Sequence, residues 1–411
     1  METKSSKRKK RNGGQKFRHH FVPFCLRGLL RLFCKIKYNA KIDTAWKKYK
    51  HEPYLILYNH QTLYDMLMVG VACKGRVYYV ASDDLFMNGF ASKLLDWFVA
   101  PVSFNKAGDD LRAIIRCVQL VKEGATIALA AEGNRTHSGH TGYIKPSVVK
   151  LAKKLNVPLV FCKFEGGFGV DPRWGNSFRK GSLHCYVSRI VPVDEYKAMS
   201  DGELYEMICK ELYQDDTKCT QLFPSKKSAE YLERAIYVCP DCGFAEWKSE
   251  GEYAHCTKCG KTVKYNADLS IEGVDCEFPF KNMAEWYDYQ EEFIKNTDLS
   301  EYIDKPMFEE TVSVYELEDK KPHKLLYENV SMKLFGDRYE TMLPNGETLI
   351  YPFDEVGGAS CIGRKKFNIE LNHKVYQFAS GERFNAVKYV HAYHHARYVK
   401  KGIKDVEFLG L

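Results

Sequence analysis

Residues 54–70, YLILYNHQTLYDMLMVG, hold the pattern from which the fold of this chain can be worked out. Leu55, Ile56 and Leu57 form a short apolar run that predicts a buried strand. Apolar residues then recur with helical spacing from Leu63, and Asn59 is the expected N-cap of that helix. The stretch therefore predicts a strand, a turn and a helix in immediate succession.

His60 and Asp65 lie five positions apart in this stretch. On one continuous helix they would point about 140° apart, because each residue advances about 100°. We therefore expect His60 on the turn and Asp65 in the first turns of the helix, reaching back to the imidazole. A carboxylate placed there fixes the tautomer of the ring and leaves the other nitrogen free as a general base. The alternative is a capping histidine with an unrelated aspartate, which a chain with 13 histidines can produce by chance.

The same turn offers no serine or cysteine that could carry a covalent intermediate. The nucleophile expected beside such a His–Asp pair is then a hydroxyl of the substrate itself. The pair thus predicts direct group transfer rather than a covalent enzyme intermediate.

Positive charge is concentrated at the N-terminus. The chain has a formal net charge of +8, yet its first 50 residues alone hold 16 Lys and Arg against 2 Asp and Glu. FVPFCLRGLLRLFCKIKY then mixes apolar and basic residues, which predicts an interfacial helix on a membrane surface with anionic lipid. The alternative is a helix that caps a domain behind a solvated tail. No nucleic acid is expected as a partner, because no recognition-fold signature accompanies the basic run.

The 14 cysteines bear on the compartment. Ten of them are scattered in apolar contexts without pairing rhythm, which favours a reducing cytosol. We expect no secretory signal and no bilayer-spanning segment, since Arg27 and Arg31 interrupt the apolar run at residues 21–34. The expected location is cytoplasmic, peripheral on the inner face of the membrane.

Between residues 54 and 195, apolar strands alternate with amphipathic helices, which predicts an α/β sandwich with a largely buried sheet. One of these strands, ATIALAAEGNRTHSG, delivers Glu132, Gly133 and Arg135 to a turn. An arginine fork there suits a phosphate, and the glutamate can either hold the arginine or bind a hydroxyl beside the phosphate. Taken alone, the pattern also fits a surface turn with an ion pair.

Residues 40–195 resemble the glycerolipid acyltransferase family of the lysophosphatidic acid acyltransferase type. The resemblance rests on NHQTLYD, on EGNRT and on the strand at Val157 and Pro158. The resemblance implies His60 and Asp65 as catalytic residues, and Glu132, Gly133 and Arg135 as the acceptor site. It also implies acyl transfer from acyl-CoA or acyl-carrier-protein to the free hydroxyl of lysophosphatidic acid or a related lysophospholipid.

Two departures from the family pattern concern charge. Lys106 stands where the family commonly has an arginine, and VASDDL replaces a basic motif. A lysine supplies charge to a phosphate but no bidentate fork, so the resemblance adds Lys106 to the substrate-binding residues through its charge alone. These departures favour, as the alternative, a non-catalytic membrane or protein adaptor with a degenerate acyltransferase fold. A thioesterase ranks last, since it would have no use for the Glu-Gly-x-Arg loop.

Two C-x-x-C pairs, Cys239 with Cys242 and Cys256 with Cys259, are separated by thirteen residues. A glycine follows each pair, where a tight turn can aim backbone amides at sulfur. This spacing is typical of a zinc ribbon, in which four thiolates close the coordination sphere of a structural Zn²⁺. The alternative is two surface turns with free thiols.

The C-terminal third predicts about seven short strands, with Pro344-Asn345-Gly346 as one connecting turn, and a final helix. This pattern suggests a barrel of the pleckstrin-homology type, a candidate site for a protein partner. His391, His394 and His395 fall on the final helix. With no acid in register beside them, they predict a solvated helix face rather than a metal site.

The predicted fold class is thus an α/β acyltransferase-type sandwich, followed by a small zinc ribbon and an all-β C-terminal domain. The predicted parts are a basic tail and interfacial helix (1–40), an acyltransferase domain (41–225), the zinc ribbon (226–270), a linker (271–310) and a β-barrel-like domain with its helix (311–403).

Overall fold

The computed structural model of this chain describes residues 26–44, 53–73, 75–82, 101–104, 111–318, 322–403 and 406–408. Lys106, and the helix that FASKLLDWFV predicts near residues 90–99, lie outside the described residues. The described strands form three larger sheets and one two-stranded ribbon.

The first sheet carries the two motifs at residues 54–70 and 125–139. Its strands are β1 (Lys41–Ile42), β2 (Leu55–Tyr58), β3 (Val77–Ser82), β4 (Val102–Phe104), β5 (Thr126–Ala130), β6 (Leu159–Glu165) and β7 (His184–Val191). Their order is β1-β7-β6-β2-β5-β3-β4, and neighbours run parallel except β6 and β7. The α/β class predicted from the alternation of strands and helices is therefore the one observed.

Helices cover both faces of this sheet. They span residues 26–38, Asp65–Ala72, Leu111–Lys122, Ser147–Leu155, Gly167–Val170, Val193–Lys197 and Asp201–Leu212. All four residues of β2 are buried, Leu55 and Leu57 on one face and Ile56 and Tyr58 on the other. A parallel strand that is covered on both faces has apolar residues at successive positions. This is why the sequence of β2 does not alternate between apolar and polar residues.

The register of the central strands brings three loops together. Tyr58 at the end of β2 lies beside Ala130 of β5 and Cys162 of β6. The carboxyl ends of these neighbouring strands therefore lie at one edge of the sheet, and the loops that follow them meet there. In open α/β sheets this edge is where ligands bind.

The second sheet is four-stranded and antiparallel, and its strand β11 ends at Cys256 of the second cysteine motif. Its strands, in order, are β10 (Trp247–Glu250), β11 (Tyr253–Cys256), β12 (Thr262–Tyr265) and β13 (Ile271–Val274). Before it, β8 (Val238–Cys239) pairs with β9 (Gly243–Phe244). Both β13 and the helix Met283–Lys295 lie in the stretch predicted as a linker. Short 3-10 turns occur at Asp216–Lys218, Leu232–Arg234 and Leu299–Tyr302.

The third sheet is antiparallel, with seven strands and a closing helix, Val387–Lys400. The strands are β14 (Phe308–Leu317), β15 (Lys324–Leu334), β16 (Arg338–Met342), β17 (Thr348–Pro352), β18 (Val356–Ile362), β19 (Lys366–Leu371) and β20 (Lys374–Ala379). Their order is β17-β16-β15-β14-β20-β19-β18. The turn predicted at residues 344–346 joins β16 to β17, and Gly346 takes the left-handed φ of +84° that such a turn requires.

The histidines of the closing helix correct one prediction. His391 and His395 are buried, so the expected solvated face is wrong. His391 Nδ1 lies 2.7 Å from the hydroxyl of Tyr237, and His395 Nε2 lies 2.9 Å from the carbonyl oxygen of Thr297. Burial lowers the pKa of both imidazoles. They serve as neutral, hydrogen-bonded core residues where the helix packs against the rest of the chain.

One buried apolar core runs from the β2 face that holds Ile56 and Tyr58 through the second and third sheets. The rings of Trp174 and Tyr265 meet across it with centroids 5.6 Å apart. The buried guanidinium of Arg234 donates to the carbonyl oxygens of Trp174, at 2.8 Å, and Glu382, at 2.6 Å. Within the described residues, no helix combines the length and apolar character needed to cross a membrane.

Candidate active site

His60 and Asp65 meet at the end of β2. The Nδ1 atom of His60 lies 2.9 Å from Oδ2 of Asp65, and Asp65 is the first residue of the helix Asp65–Ala72. The N-cap is Tyr64, not Asn59 as predicted. The Asn59 amide instead bonds the backbone of Phe164, accepting from its N–H at 2.8 Å and donating to its carbonyl at 2.9 Å. Asn59 therefore fastens the His60 turn to β6.

The Asp65 carboxylate is fully buried and accepts from several donors besides His60. The backbone N–H groups of Gln61 and Thr62 donate to it at 2.7 and 3.0 Å, and the Thr62 hydroxyl donates at 2.5 Å. Such donors hold the carboxylate in one orientation. When the Nδ1–H of His60 donates to this carboxylate, Nε2 keeps its lone pair. The imidazole is 23% exposed, so Nε2 can reach a substrate.

Glu132, at the end of β5, positions the turn that carries His60. Its Oε1 accepts from the backbone N–H of His60 at 2.7 Å, and its Oε2 from that of Gly142 at 2.6 Å. The sequence analysis allowed two roles for Glu132, holding Arg135 or binding a hydroxyl. In the structure both of its carboxylate oxygens accept from backbone amides instead. Burial raises the pKa of Glu132 to about 8, while the two amides favour its ionised form.

The loop after Glu132 is joined directly to the His60 turn. Gly133 takes a left-handed φ of +77°, which turns the chain away from the sheet. The backbone N–H of Thr136 then donates to the carbonyl oxygen of His60 at 3.0 Å. The two sequence motifs are thus fixed to each other through their backbones, and Arg135 immediately precedes the residue that makes this bond.

Arg135 is buried beside a carboxylate that the sequence did not single out. Only 8% of the residue is exposed, and Nη1 lies 3.8 Å from Oδ2 of Asp171. Asp171 also accepts from the Tyr38 hydroxyl at 3.2 Å and from Nη2 of Arg364 at 2.5 Å. Burial lowers the pKa of Arg135, and the charge of Asp171 opposes that effect.

The glycine-rich loop after β6 supplies Asp171 and packs against the His60 turn. The N–H of Gly167 donates to the Gln61 side chain at 2.9 Å. A Cβ added at Gly167 would lie 2.6 Å from that same oxygen, so the close approach requires glycine. The amides of Gly166 and Phe168 both donate to Asp216 at 3.0 Å, and burial raises the pKa of that carboxyl to about 6.

An apolar surface borders the site. On the helix 26–38, Cys34 and Tyr38 face the core, while the exposed face carries Leu29, Leu32, Phe33 and Ile36. Leu63, in the His60 turn, is also exposed. The rings of Phe33 and Tyr64 meet edge-on at 5.2 Å, which joins this apolar face to the turn.

The four predicted zinc ligands come together away from this site. The sulfurs of Cys239, Cys242, Cys256 and Cys259 all lie within 4.8 Å of one another, and those of Cys239 and Cys259 are 3.8 Å apart. Four thiolates at about 2.3 Å from a tetrahedral Zn²⁺ would lie about 3.8 Å apart. The cluster therefore fits a tetrathiolate metal site, with its ligand sphere closed.

The part of the chain that holds the His60 turn is similar to known proteins. Residues 40–164 match the model of the Acyltransferase family. The match contains the His60 turn and the Arg135 loop.

The relatives are distant. The chain is 27% identical over 114 residues to a chloroplastic 1-acyl-sn-glycerol-3-phosphate acyltransferase of Brassica napus, covering 26% of this chain and 31% of that protein. It is 23% identical over 202 residues to human 1-acyl-sn-glycerol-3-phosphate acyltransferase alpha, covering 44% of this chain and 67% of that protein. The chain thus spans about a third of the plant relative and about two thirds of the human one.

A solved structure also matches in part. The crystal structure of the 1-acyl-sn-glycerophosphate acyltransferase of Thermotoga maritima aligns with 48% of this chain and 86% of its own. The TM-score is 0.38 and the identity 16%.

Proposed function

We propose that this protein transfers a fatty acyl group from acyl-CoA or acyl-carrier-protein to the free hydroxyl of lysophosphatidic acid or a related lysophospholipid. The observation that carries the proposal is the His60–Asp65 pair at 2.9 Å, joined through the Thr136 amide to the loop of Arg135. A general base and a cation fixed to one frame suit an acceptor that has both a hydroxyl and a phosphate.

The chemistry begins when Nε2 of His60 removes the proton of the acceptor hydroxyl as its oxygen attacks the thioester carbonyl. The resulting tetrahedral oxyanion collapses, the carbon–sulfur bond breaks, and His60 returns the proton to the departing thiolate. Asp65 keeps the imidazole in the required tautomer and stabilises its charged form. A base of this kind contributes on the order of 10²–10⁴-fold to the rate.

Arg135 is proposed to bind the acceptor phosphate through charge-assisted hydrogen bonds. Gly133 gives its loop the required turn, and Glu132 holds the loop and the His60 turn together. Lys106 stays a proposed source of further charge. The apolar face of the helix 26–38 is proposed to lie in the headgroup region of a membrane with anionic lipid, which would make the protein peripheral on the cytoplasmic side.

We further infer that the four-cysteine cluster holds a structural Zn²⁺, which would cross-link β8 and β11. The antiparallel order and the closing helix of the third sheet support the pleckstrin-homology-type prediction. A protein partner for this domain stays a prediction.

The test is acyl transfer by the purified protein from a long-chain acyl thioester to lysophosphatidic acid in vesicles. His60→Ala should abolish turnover, whereas Arg135→Ala should act mainly on the acceptor KM. Absence of turnover with this acceptor and with a panel of lysophospholipids, from folded protein, would favour a non-catalytic adaptor. The burial of Arg135 beside Asp171 is the observation that keeps the adaptor as the second candidate.

A further inference from the structure

The third sheet contributes a side chain to the site described above. Arg364 lies in the turn between β18 and β19, and its Nη2 donates to Asp171 at 2.5 Å. Arg135 approaches the same carboxylate from the loop after β5. Two guanidinium groups, more than two hundred residues apart in sequence, therefore flank one buried carboxylate.

The turn that carries Arg364 is held in place independently of its own side chain. Arg173 donates to the carbonyl oxygens of Cys361 and Gly363, both at 3.1 Å. Its third bond, at 2.8 Å, goes to the carbonyl oxygen of Arg135. The buried Arg173 thus links the β18–β19 turn to the Arg135 loop and fixes the distance between them.

The hydrogen bonds of the two flanking guanidinium groups are incomplete. The Nη1 atoms of both Arg135 and Arg364 are buried, and among the described residues neither has a hydrogen-bond partner. Two cations share the single negative charge of Asp171, so the cluster has excess positive charge and spare donors. Buried donors without a partner are costly, and an anion with several oxygens would satisfy them.

We propose that Arg364, together with Arg135, binds the phosphate of the acceptor and makes the enzyme selective for a phosphomonoester. A phosphomonoester has three terminal oxygens and close to two negative charges, enough for both guanidinium forks. A phosphodiester headgroup has two such oxygens and one charge, and it extends beyond the phosphorus. This inference rests on the proposed function and assigns to the C-terminal domain a part in choosing the acceptor.

The test compares Arg364→Gln and Arg364→Lys with wild type, and uses Arg383→Gln as the matched control. Arg383 also belongs to the C-terminal domain, but it pairs with Glu233 and the backbone of Ser249, and lies 3.7 Å from Glu230. Direct binding of glycerol 3-phosphate is measured by calorimetry, and acyl transfer is measured with lysophosphatidic acid and with monoacylglycerol.

Arg364→Gln should weaken glycerol 3-phosphate binding about 10- to 100-fold and raise the KM for lysophosphatidic acid by a similar factor. Its kcat, its thioester KM and its transfer to monoacylglycerol should stay near wild type. Arg364→Lys should recover part of the loss, because it restores charge without the fork. Arg383→Gln should bind as wild type does.

The proposal would be overturned if Arg364→Gln bound glycerol 3-phosphate as tightly as wild type does. It would also be overturned if Arg383→Gln weakened that binding equally, because Arg364 would then act only as a contact between domains. If wild type transfers no acyl group but binds glycerol 3-phosphate in an Arg364-dependent way, the phosphate site stands and the acyltransferase function fails.

Discussion

The exposed apolar face of the helix 26–38 gives the sharpest test of membrane association. Leu32 and Ile36 are 55% and 76% exposed. If the helix enters the headgroup region, this apolar area is removed from contact with water. Full burial of such a side chain is worth about 1.5–3 kcal/mol, so the exposed fractions of the pair amount to about 2–4 kcal/mol. Changing both residues to Gln, which keeps helix propensity, should weaken vesicle binding roughly 30- to 700-fold.

The assay is sedimentation with large unilamellar vesicles, with and without anionic lipid. The control changes Leu325 and Ile350 to Gln, because they are 47% and 53% exposed on the third sheet, away from this helix. The control pair should bind as wild type does. Equal weakening by both pairs, or wild-type binding by the helix pair, would refute the assignment of this face to the membrane.

Three further predictions concern charge and metal. Glu132→Gln should lower kcat more above pH 8 than below it. Burial raises the pKa of Glu132 to about 8, and only the ionised carboxylate accepts hydrogen bonds with both oxygens. A ratio of wild-type kcat to variant kcat that stays constant between pH 6.5 and 9.5 would contradict this. Cys242→Ser should remove zinc, measured by mass spectrometry, and speed proteolysis of residues 236–265, whereas wild type purified without metal would exclude the zinc assignment. The third prediction concerns His140, whose Nε2 lies 2.7 Å from Asp288. Burial lowers the pKa of His140, but the hydrogen bond and charge of Asp288 outweigh burial and raise that pKa to about 9. The stability from this pair is complete below about pH 6.5 and is lost as pH rises through about 9. Asp288→Asn should therefore cost about 1 kcal/mol in urea unfolding at pH 6 and nothing at pH 10, and a pH-independent cost would show that the charge is not responsible.

Local sequence was enough to place His60 against Asp65. A strand, a turn and a helix start follow one another within a few residues, and the five-residue spacing leaves one sensible geometry. The expected cap was wrong because Asn59 found partners on the next strand. Its bonds to Phe164 depend on the pairing of β2 with β6, which spacing within the motif does not reveal.

Residues brought together over long distances could not be found this way. Asp171 follows a glycine-rich stretch, and Arg364 stands in a hairpin turn 193 residues further on. Neither belongs to a motif, and only the docking of the third sheet makes them neighbours. The predicted exposure of His391 was wrong for the same reason. Tyr237 and Tyr287, whose hydroxyls contact its ring, come from elements more than a hundred residues earlier. The signal that the sequence offers for Asp171 is an acid beside Pro172 at the end of an apolar, glycine-rich stretch.

The continuous core has a consequence for dividing this chain into pieces. A fragment ending near residue 225 would remove Tyr265 and Arg234 from the buried Trp174, and the Ala267 carbonyl from the backbone N–H of the buried Phe223. Arg173 would also lose its acceptors at Cys361 and Gly363. The segment that carries the His60 site therefore relies on its C-terminal neighbours as a folding partner, and all three sheets should melt in one cooperative transition.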